Sequence, residues 1–205
     1  MGSLAIWMIS LAVGLAIMVV AGAAGDVTLH TVAAALVSLA IAGVAVAENW
    51  QQRKAGASEN VVAASTARNM GLVWVWGALS LFVTYYFIIS WKEWLVFTAA
   101  FAVVGVLCLF FAAMLDRDEA AGRADEAVQK LAKYLSIGQL VGMVIAMIGL
   151  VIDGKFPVSK QANPGWQDWA ANNIFFFGAL AVAIITANAL YTKNQSEKAN
   201  AQGAS

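Results

Sequence analysis

Six stretches of this 205-residue chain contain no Asp, Glu, Lys or Arg. They cover residues 4–24, 27–47, 70–90, 94–115, 134–152 and 170–191. Each has roughly the 20 residues that a helix needs to cross about 30 Å of hydrocarbon. A backbone in lipid must satisfy its own hydrogen bonds, and runs of this length do so as helices rather than as the short alternating strands of a barrel. The sequence therefore predicts an all-α integral membrane protein with six transmembrane helices.

The composition supports this prediction. The chain is 61% hydrophobic and only 12% charged, and its mean hydropathy is +0.76, whereas about 25% charged residues is usual in soluble domains. Twelve Lys and Arg balance twelve Asp and Glu, so no net charge attracts a nucleic acid. We expect the lipid bilayer to be the main environment of the chain. The single cysteine, Cys108, excludes an intramolecular disulfide.

The first apolar run ends in the small residues Ala21, Gly22 and Ala23, as a cleaved signal peptide does. The residues before it carry no positive charge, which a signal peptide normally has. We therefore interpret this run as a retained span.

The distribution of Lys and Arg predicts the orientation, because positive residues near span ends are held on the cytoplasmic side. Nine of them follow the second, fourth and sixth runs, and three follow the third and fifth. The nine are Arg53, Lys54, Arg68, Arg117, Arg123, Lys130, Lys133, Lys193 and Lys198. The three are Lys92, Lys155 and Lys160. This asymmetry predicts cytoplasmic N and C termini, and we expect a bacterial inner membrane location.

The connections predict three antiparallel hairpins in one transmembrane domain, residues 1–192, followed by a polar cytoplasmic tail, residues 193–205. Short turns at residues 25–26 and 91–93 join the first two pairs of spans, and spans joined by such turns must be neighbours. A longer loop, residues 153–169, joins the fifth and sixth spans.

The connection between the fourth and fifth spans has a helical pattern from Asp116 to Lys133. Apolar residues recur at helical spacing there, with acidic residues first and basic residues last, as the helix dipole favours. This pattern predicts a short cytoplasmic amphipathic helix before the fifth span. Its apolar face is mostly alanine, so docking on the membrane surface is the less favoured alternative. The connection from Gly56 to Asn69 shows a similar but weaker pattern, so we expect it to be helical in part.

Polar side chains inside a span indicate either hydrogen bonds between helices or a path for a solute. The main candidates are Gln139, Asn188, Asn172, Asn173 and Thr84. Gln139 and Asn188 fall at similar depths in the predicted fifth and sixth spans, so their amides are able to meet. The interpretation we favour is that these amides clamp helices together. Lining a solute path is the alternative.

His30 is the only histidine of the chain and lies four residues after Asp26. One histidine excludes a haem with two histidine ligands and a zinc or copper site of ordinary histidine count within one chain. Met143 and Met147 share a helix face, but thioethers at that spacing are more often core residues than copper ligands. We expect no metal or cofactor, and a local contact between Asp26 and His30 at the turn.

Small residues recur at every fourth position of the fifth span, at Gly138, Gly142 and Ala146. Such rows let helix backbones approach closely and replace the hydrophobic driving force that lipid removes. They predict tight helix packing and leave open which row contacts a partner.

Two classes of function fit these features. No catalytic domain fits in the loops, and the spans hold no acidic pair for acid and base chemistry, so we expect no enzymatic activity. We favour a small accessory or scaffolding subunit of a larger membrane complex, or a homo-oligomer, whose partners are other integral membrane subunits or itself. The alternative is a passive channel or facilitator for a small neutral solute, which needs no charge in the membrane. Proton-coupled transport is less favoured, because no ionisable residue lies deep in a span.

Overall fold

The computed structural model describes residues 3–87, 93–122, 134, 136–145, 148 and 166–203. Its regular elements are the helices α1 (Ser3–Ala23), α2 (Val27–Lys54), α3 (Glu59–Phe87), α4 (Glu93–Ala120), α5 (Ser136–Ile145) and α6 (Trp166–Gly203). The prediction of an all-α protein is confirmed over these residues.

Four of the helices are long and apolar enough to cross a membrane. They are α2, α3, the part of α4 from Thr98 to Ala120, and the part of α6 from Asn172 to Gln195. The apolar segments of the other two helices are shorter over the described residues, at Ile9–Ala23 and Ser136–Ile145. Four apolar helices are compatible with a multi-pass membrane protein, and the count of six spans stays a prediction.

Both ends of α2 are set by glycine turns. Gly25 and Gly56 have φ angles of +73° and +70°, a conformation that side chains disfavour and glycine adopts freely. In each turn the glycine N–H and the next N–H donate back to carbonyls of the preceding helix, as for Asp26 N to Ala21 O at 2.8 Å and Ala57 N to Gln52 O at 3.0 Å. This is the Schellman pattern, which satisfies carbonyls that a helix end leaves unpaired. We call the two ends of the bundle the Asp26 end and the Gly56 end.

Helices α2 and α3 extend beyond their apolar runs toward the Gly56 end. Helix α2 continues to Lys54, and α3 begins at Glu59, well before the predicted span start at residue 70. The first turns of α3 carry polar side chains that are buried, namely Asn60, Ser65, Thr66 and Asn69. Burial against neighbouring helices explains why this polar segment is helical although no apolar run marks it.

The predicted start of a separate amphipathic helix at Asp116 is wrong. Helix α4 continues through Asp116 to Ala120 and stops at Gly122, which has a φ of +64° and donates its N–H to Glu119 O at 3.0 Å. The sequence has no glycine or proline between Gly105 and Gly122. The helix therefore continues past Asp116 and ends where glycine permits the turn. The rest of the predicted helix, residues 123–133, lies outside the described residues.

Helix α3 is the centre of the bundle, since it packs against α1, α2, α4 and α6. Helix α2 also packs against α6, and α1 lies on α2 and α3. The largest fully buried apolar side chains are Met18, Ile41, Val73, Trp76, Leu81, Leu115 and Val182. The side chain of Gln139 on α5 contacts α3 and α4. The three-hairpin arrangement stays a prediction, because the connection between α5 and α6 lies outside the described residues.

Two glycines bring α3 and α4 into close contact. A Cβ added at Gly71 would lie 3.0 Å from Gly105 O, and one added at Gly105 would lie 3.1 Å from Gly71 O. These neighbours are backbone atoms and have little freedom to move away. The pair therefore permits a helix approach that larger residues would prevent.

Candidate functional site

Buried polar side chains gather at opposite ends of α3. At the Asp26 end they form the His30 cluster, which we define as Met18, His30, Ser80 and Thr84. At the Gly56 end they form the Asn49 cluster, which we define as Glu48, Asn49, Gln52, Thr66, Asn69 and Thr192. Because polar groups buried between helices are costly unless they are hydrogen-bonded, their partners decide what these clusters do.

The His30 cluster joins three helices through one imidazole ring. Nδ1 of His30 lies 2.9 Å from the carbonyl oxygen of Met18 on α1, and Nε2 lies 2.8 Å from Oγ1 of Thr84 on α3. Thr84 Oγ1 is also 2.6 Å from the carbonyl oxygen of Ser80 one turn earlier. Ser80 Oγ in turn contacts Met18 Sδ at 3.6 Å. All four residues have 0% of their surface exposed.

The predicted local contact between Asp26 and His30 exists only through the backbone. The N–H of His30 donates to the carbonyl oxygen of Asp26 at 3.0 Å, and the Asp26 carboxylate accepts from Leu29 N at 2.9 Å as the N-cap of α2. The imidazole ring is directed away from Asp26 into the bundle. The sequence predicted a contact between Asp26 and His30 at the turn but gave no sign of the partners of the ring.

The Asn49 cluster joins α2, α3 and α6. Thr192 Oγ1 on α6 donates to Asn49 Oδ1 on α2 at 3.0 Å, and Asn49 Nδ2 donates to Thr66 Oγ1 on α3 at 3.5 Å. Each hydroxyl also lies near a carbonyl oxygen of its own helix, with Thr66 Oγ1 2.8 Å from Val62 O and Thr192 Oγ1 3.0 Å from Asn188 O. Thr66 donates to its carbonyl while accepting from Asn49, whereas the single hydroxyl proton of Thr192 is shared between Asn49 Oδ1 and its own helix. The Asn49 amide is thus the link between the three helices.

Glu48 forms the second part of the Asn49 cluster. Its carboxylate accepts from Asn69 Nδ2 at 3.0 Å and from Gln52 Nε2 at 3.3 Å. The other amide atom of Gln52, Oε1, is buried and has no hydrogen-bond partner among the described residues. This part of the cluster is less completely paired than the His30 cluster.

Charged residues surround the Asn49 cluster. Arg53, at the end of α2, forms an ion pair with Glu59 at the start of α3. Arg68 on α3 pairs with Asp116 on α4 at 2.6 Å, and both side chains are exposed. The Gly56 end of the bundle is therefore the polar end among the described parts of the chain.

The structure places Gln139 against α3 and α4. Its Oε1 accepts from Trp74 Nε1 at 3.4 Å, and its Nε2 lies 3.9 Å from Cys108 Sγ. The described contacts do not join Gln139 to Asn188, whose backbone carbonyl accepts from Thr192 at 3.0 Å. Their similar depth in the predicted spans made a hydrogen bond between the two side-chain amides possible. The described contacts do not include one.

The remaining predicted residues lie in several places. Asn173 is buried and Asn172 is half-buried near the start of α6, and Thr84 belongs to the His30 cluster. Gly138 and Gly142 lie on an exposed side of α5, where no described atom is within 4 Å of an added Cβ. Ala146 lies outside the described residues. Close packing of this row against a partner stays a prediction.

Two features of the structure were not predicted from the sequence. The polar residues Asn49, Thr66, Asn69 and Thr192 fall outside the apolar runs, where side chains are normally solvated. Gly71 ends a row of small residues at every fourth position, Ala63, Ala67 and Gly71, but such rows are common and this one does not identify Gly105 as the partner. The weak helical pattern from Gly56 to Asn69 pointed to the earlier start of α3, which begins at Glu59.

No group of three or more His, Cys, Asp or Glu side chains suited to a metal ion occurs within the described residues. No protein-family model, curated protein sequence or solved structure matches this chain significantly.

Proposed function

We propose that this protein is a non-catalytic, multi-pass membrane protein that acts as a small accessory or scaffolding subunit, in a larger membrane complex or as a homo-oligomer. The observation that carries the proposal is the direction of the polar side chains within the apolar parts of the helices. Within the described residues, the hydroxyls of Ser38, Ser80, Thr84 and Thr186 bond to neighbouring helices or to their own backbone.

Four hydroxyls illustrate this direction. Ser38 and Thr186 donate to carbonyls one turn earlier in their own helices, at 3.1 and 2.8 Å. Ser80 and Thr84 belong to the His30 cluster and are fully buried. A pore for a neutral solute needs donors and acceptors along its length that remain available to the solute. Hydroxyls engaged in this way support a structural role.

The outward faces of the helices support an assembly inside a bilayer. Large apolar side chains are exposed on α1, α4 and α5. They are Ile9, Val13, Ile17, Val19 and Val20 on α1, Leu95, Val96, Val103, Val106, Leu107, Phe110 and Met114 on α4, and Ile137, Val141, Val144 and Ile145 on α5. Apolar surface of this extent is unusual on a soluble monomer and suits lipid or another membrane helix. It is the surface that a scaffold would present to its partners.

The charges support the orientation within this proposal. The Gly56 end carries Arg53, Lys54, Arg68 and Arg117, and α6 continues beyond its apolar part with the polar residues from Lys193 to Gly203. Positive residues favour the cytoplasmic side. The proposal therefore places the Gly56 end and both termini in the cytoplasm, most simply at a bacterial inner membrane.

A passive channel for a small neutral solute is the competing function, and Gln139 is the residue that favours it. Its two hydrogen bonds are long, at 3.4 and 3.9 Å, and one of them is to sulfur, a weak acceptor. Its amide is therefore weakly held and easily released to a passing molecule.

Reconstitution in liposomes separates the two functions. The purified protein alone is tested for flux of water, urea, ammonia, glycerol and small amides, with Gln139→Leu as the variant and Asn188→Leu as a control on a residue not bonded to Gln139. The scaffold proposal expects no flux above protein-free liposomes, and a stoichiometric membrane partner or a homo-oligomer after gentle extraction. Saturable flux that Gln139→Leu abolishes would overturn it in favour of the channel.

A further inference from the structure

The His30 ring has a determinate protonation at one nitrogen. Nδ1 lies 2.9 Å from the carbonyl oxygen of Met18, and a carbonyl oxygen only accepts hydrogen bonds. Nδ1 must therefore carry the proton that it donates. A neutral ring in this site is the Nδ1–H tautomer, and its Nε2 is an acceptor.

The second ring nitrogen shares its partner with a backbone carbonyl. Thr84 Oγ1 lies 2.8 Å from His30 Nε2 and 2.6 Å from Ser80 O, but a threonine hydroxyl has a single proton to donate. With a neutral ring, the hydroxyl donates to Nε2 and leaves the Ser80 carbonyl to its helical partner. With a protonated ring, Nε2–H donates to Oγ1, and the hydroxyl turns to donate to Ser80 O.

The two states differ by one proton and one hydroxyl rotation. The protonated state satisfies all three short contacts at once, and its two N–H donors are charge-assisted, which strengthens them. The neutral state satisfies two of the three. Full burial of the ring among uncharged partners opposes the charge, so proton uptake requires acidic conditions. Neither state requires the ring or the helices to move, so the site accommodates both without an unpaired ring nitrogen.

Few other ionisable groups are near this ring. Helix α1 has none in its sequence, and α2 contributes Asp26, whose carboxylate is exposed and caps the helix. On α3 the nearest are Tyr85, which is half-buried, and Tyr86, which is exposed and packs edge-on against Phe87. Within the described residues, the partners of the ring are the uncharged groups of Met18 and Thr84.

We propose that the His30 cluster is a proton-binding site, in which uptake of a proton at His30 Nε2 switches the Thr84 hydroxyl from the ring to the Ser80 carbonyl. Proton occupancy thereby changes the hydrogen bonding between α2 and α3 at the Asp26 end. The inference goes beyond the proposed scaffold function and depends on neither the topology nor the partners.

Nitrogen-15 NMR of histidine-labelled protein tests the site directly, because His30 is the only histidine and its signals need no assignment. At neutral or alkaline pH we expect one protonated ring nitrogen, identified as Nδ1 by its coupling pattern. On acidification we expect both nitrogens to become protonated while circular dichroism and gel filtration still report the folded protein. A neutral Nε2–H tautomer would overturn the proposal, and so would a ring that becomes protonated only when the protein unfolds.

Variants separate the proposed switch from simple packing. In Thr84→Val, the protonated ring loses a charge-assisted acceptor whereas the neutral ring loses an ordinary donor, so we expect about a tenfold loss of proton affinity. Thr84→Ser keeps the hydroxyl and should keep the wild-type titration midpoint. Thr186→Val is the matched control, because Thr186 is equally buried and bonds Val182 O at 2.8 Å in the same way. An unchanged midpoint in Thr84→Val, or an equal shift in Thr186→Val, contradicts the proposal, and the tautomer in the unmodified protein remains decisive if Thr84→Val does not fold.

Discussion

The two polar clusters at the ends of α3 both join helices through threonine hydroxyls, but they differ in hydrogen-bond length and in solvent exposure. In the His30 cluster the nitrogen and oxygen contacts are 2.6 to 2.9 Å, and all four residues are fully buried. In the Asn49 cluster the links between helices are 3.0 to 3.5 Å, and Glu48 and Gln52 remain partly exposed. The first cluster is closed, and the second borders charged residues and solvent.

This difference predicts which polar contacts contribute most to the stability of the bundle. Water competes for hydrogen bonds at the Gly56 end, so each contact there contributes less net stability. At the Asp26 end the cluster is fully buried, so a polar group that loses its partner stays unpaired and lowers the stability of the fold by the full cost of its burial. We therefore expect substitutions in the His30 cluster to destabilise the protein more than comparable substitutions in the Asn49 cluster.

The largest effect is expected between the clusters, at the glycine contact that holds α4 against α3. Gly71→Leu forces a side chain toward the Gly105 backbone and should lower the free energy of unfolding by roughly 2–3 kcal/mol. Denaturation in detergent measures the change. Gly43→Leu is the control, since Gly43 is exposed on α2 and no described atom lies within 4 Å of an added Cβ. Equal stability of the two variants would show that the contact between α3 and α4 is not close.

The next largest effect tests the closed cluster. His30→Leu removes the ring contacts to Met18 and Thr84 and should destabilise the protein by about 1–2 kcal/mol, since each hydrogen bond between membrane helices contributes about 0.6 kcal/mol and at most about 1.7. The same denaturation measurement on Asn49→Leu should show a smaller loss, because the Asn49 contacts to Thr192 and Thr66 are longer, at 3.0 and 3.5 Å. A larger loss in Asn49→Leu would reverse the comparison.

A double-mutant cycle measures the strength of the contact between α2 and α6 at the Gly56 end. Asn49→Ala and Thr192→Val should show a coupling energy of about 0.5–1 kcal/mol, because Thr192 Oγ1 donates to Asn49 Oδ1 at 3.0 Å. Unfolding free energies of the two single variants and the double variant give this value. A coupling of zero would mean that α6 is held to α2 by packing alone.

The smallest effect belongs to the exposed ion pair of Arg68 and Asp116. Arg68→Gln should change the unfolding free energy by at most about 0.5 kcal/mol, and less at high salt, because exposed pairs gain little in water. Denaturation at low and high salt measures both quantities. A large effect that salt does not alter would show that this pair is shielded and belongs with the buried contacts.

The apolar runs predicted the helical class and the Asp26 turn well, because burial of long uncharged segments and a glycine followed by a capping Asp are both local signals. They placed the start of the third span at residue 70, and the weaker helical pattern from Gly56 to Asn69 was the signal for the earlier start of α3. Burial of Asn60, Ser65 and Thr66 could not be predicted, because such polar residues resemble solvated ones. The end of α4 was missed for a related reason. A charged segment from Asp116 continues a helix as readily as it begins one.

The site residues show the same limit. Thr84 was recognised as a polar residue inside a span, but the partner of its hydroxyl is His30, 54 positions earlier in the chain. Equal depth of Gln139 and Asn188 suggested a pair, yet depth says nothing about rotation of a helix about its axis. Which face of α5 meets α3 and α4 is decided by packing, which one sequence does not contain.

We propose that polar groups between the helices hold the bundle together and line no aqueous path. Cys108 reports on it directly, because it is the only cysteine, is half-buried on α4, and lies 3.9 Å from the Gln139 amide. The protein in liposomes is treated with a charged, water-soluble thiol reagent from either side, and the labelled fraction is measured by mass spectrometry before and after denaturation. We predict no labelling of Cys108 by the charged reagent until the protein is denatured. Rapid labelling of the folded protein from either side would contradict the account and place water at Gln139.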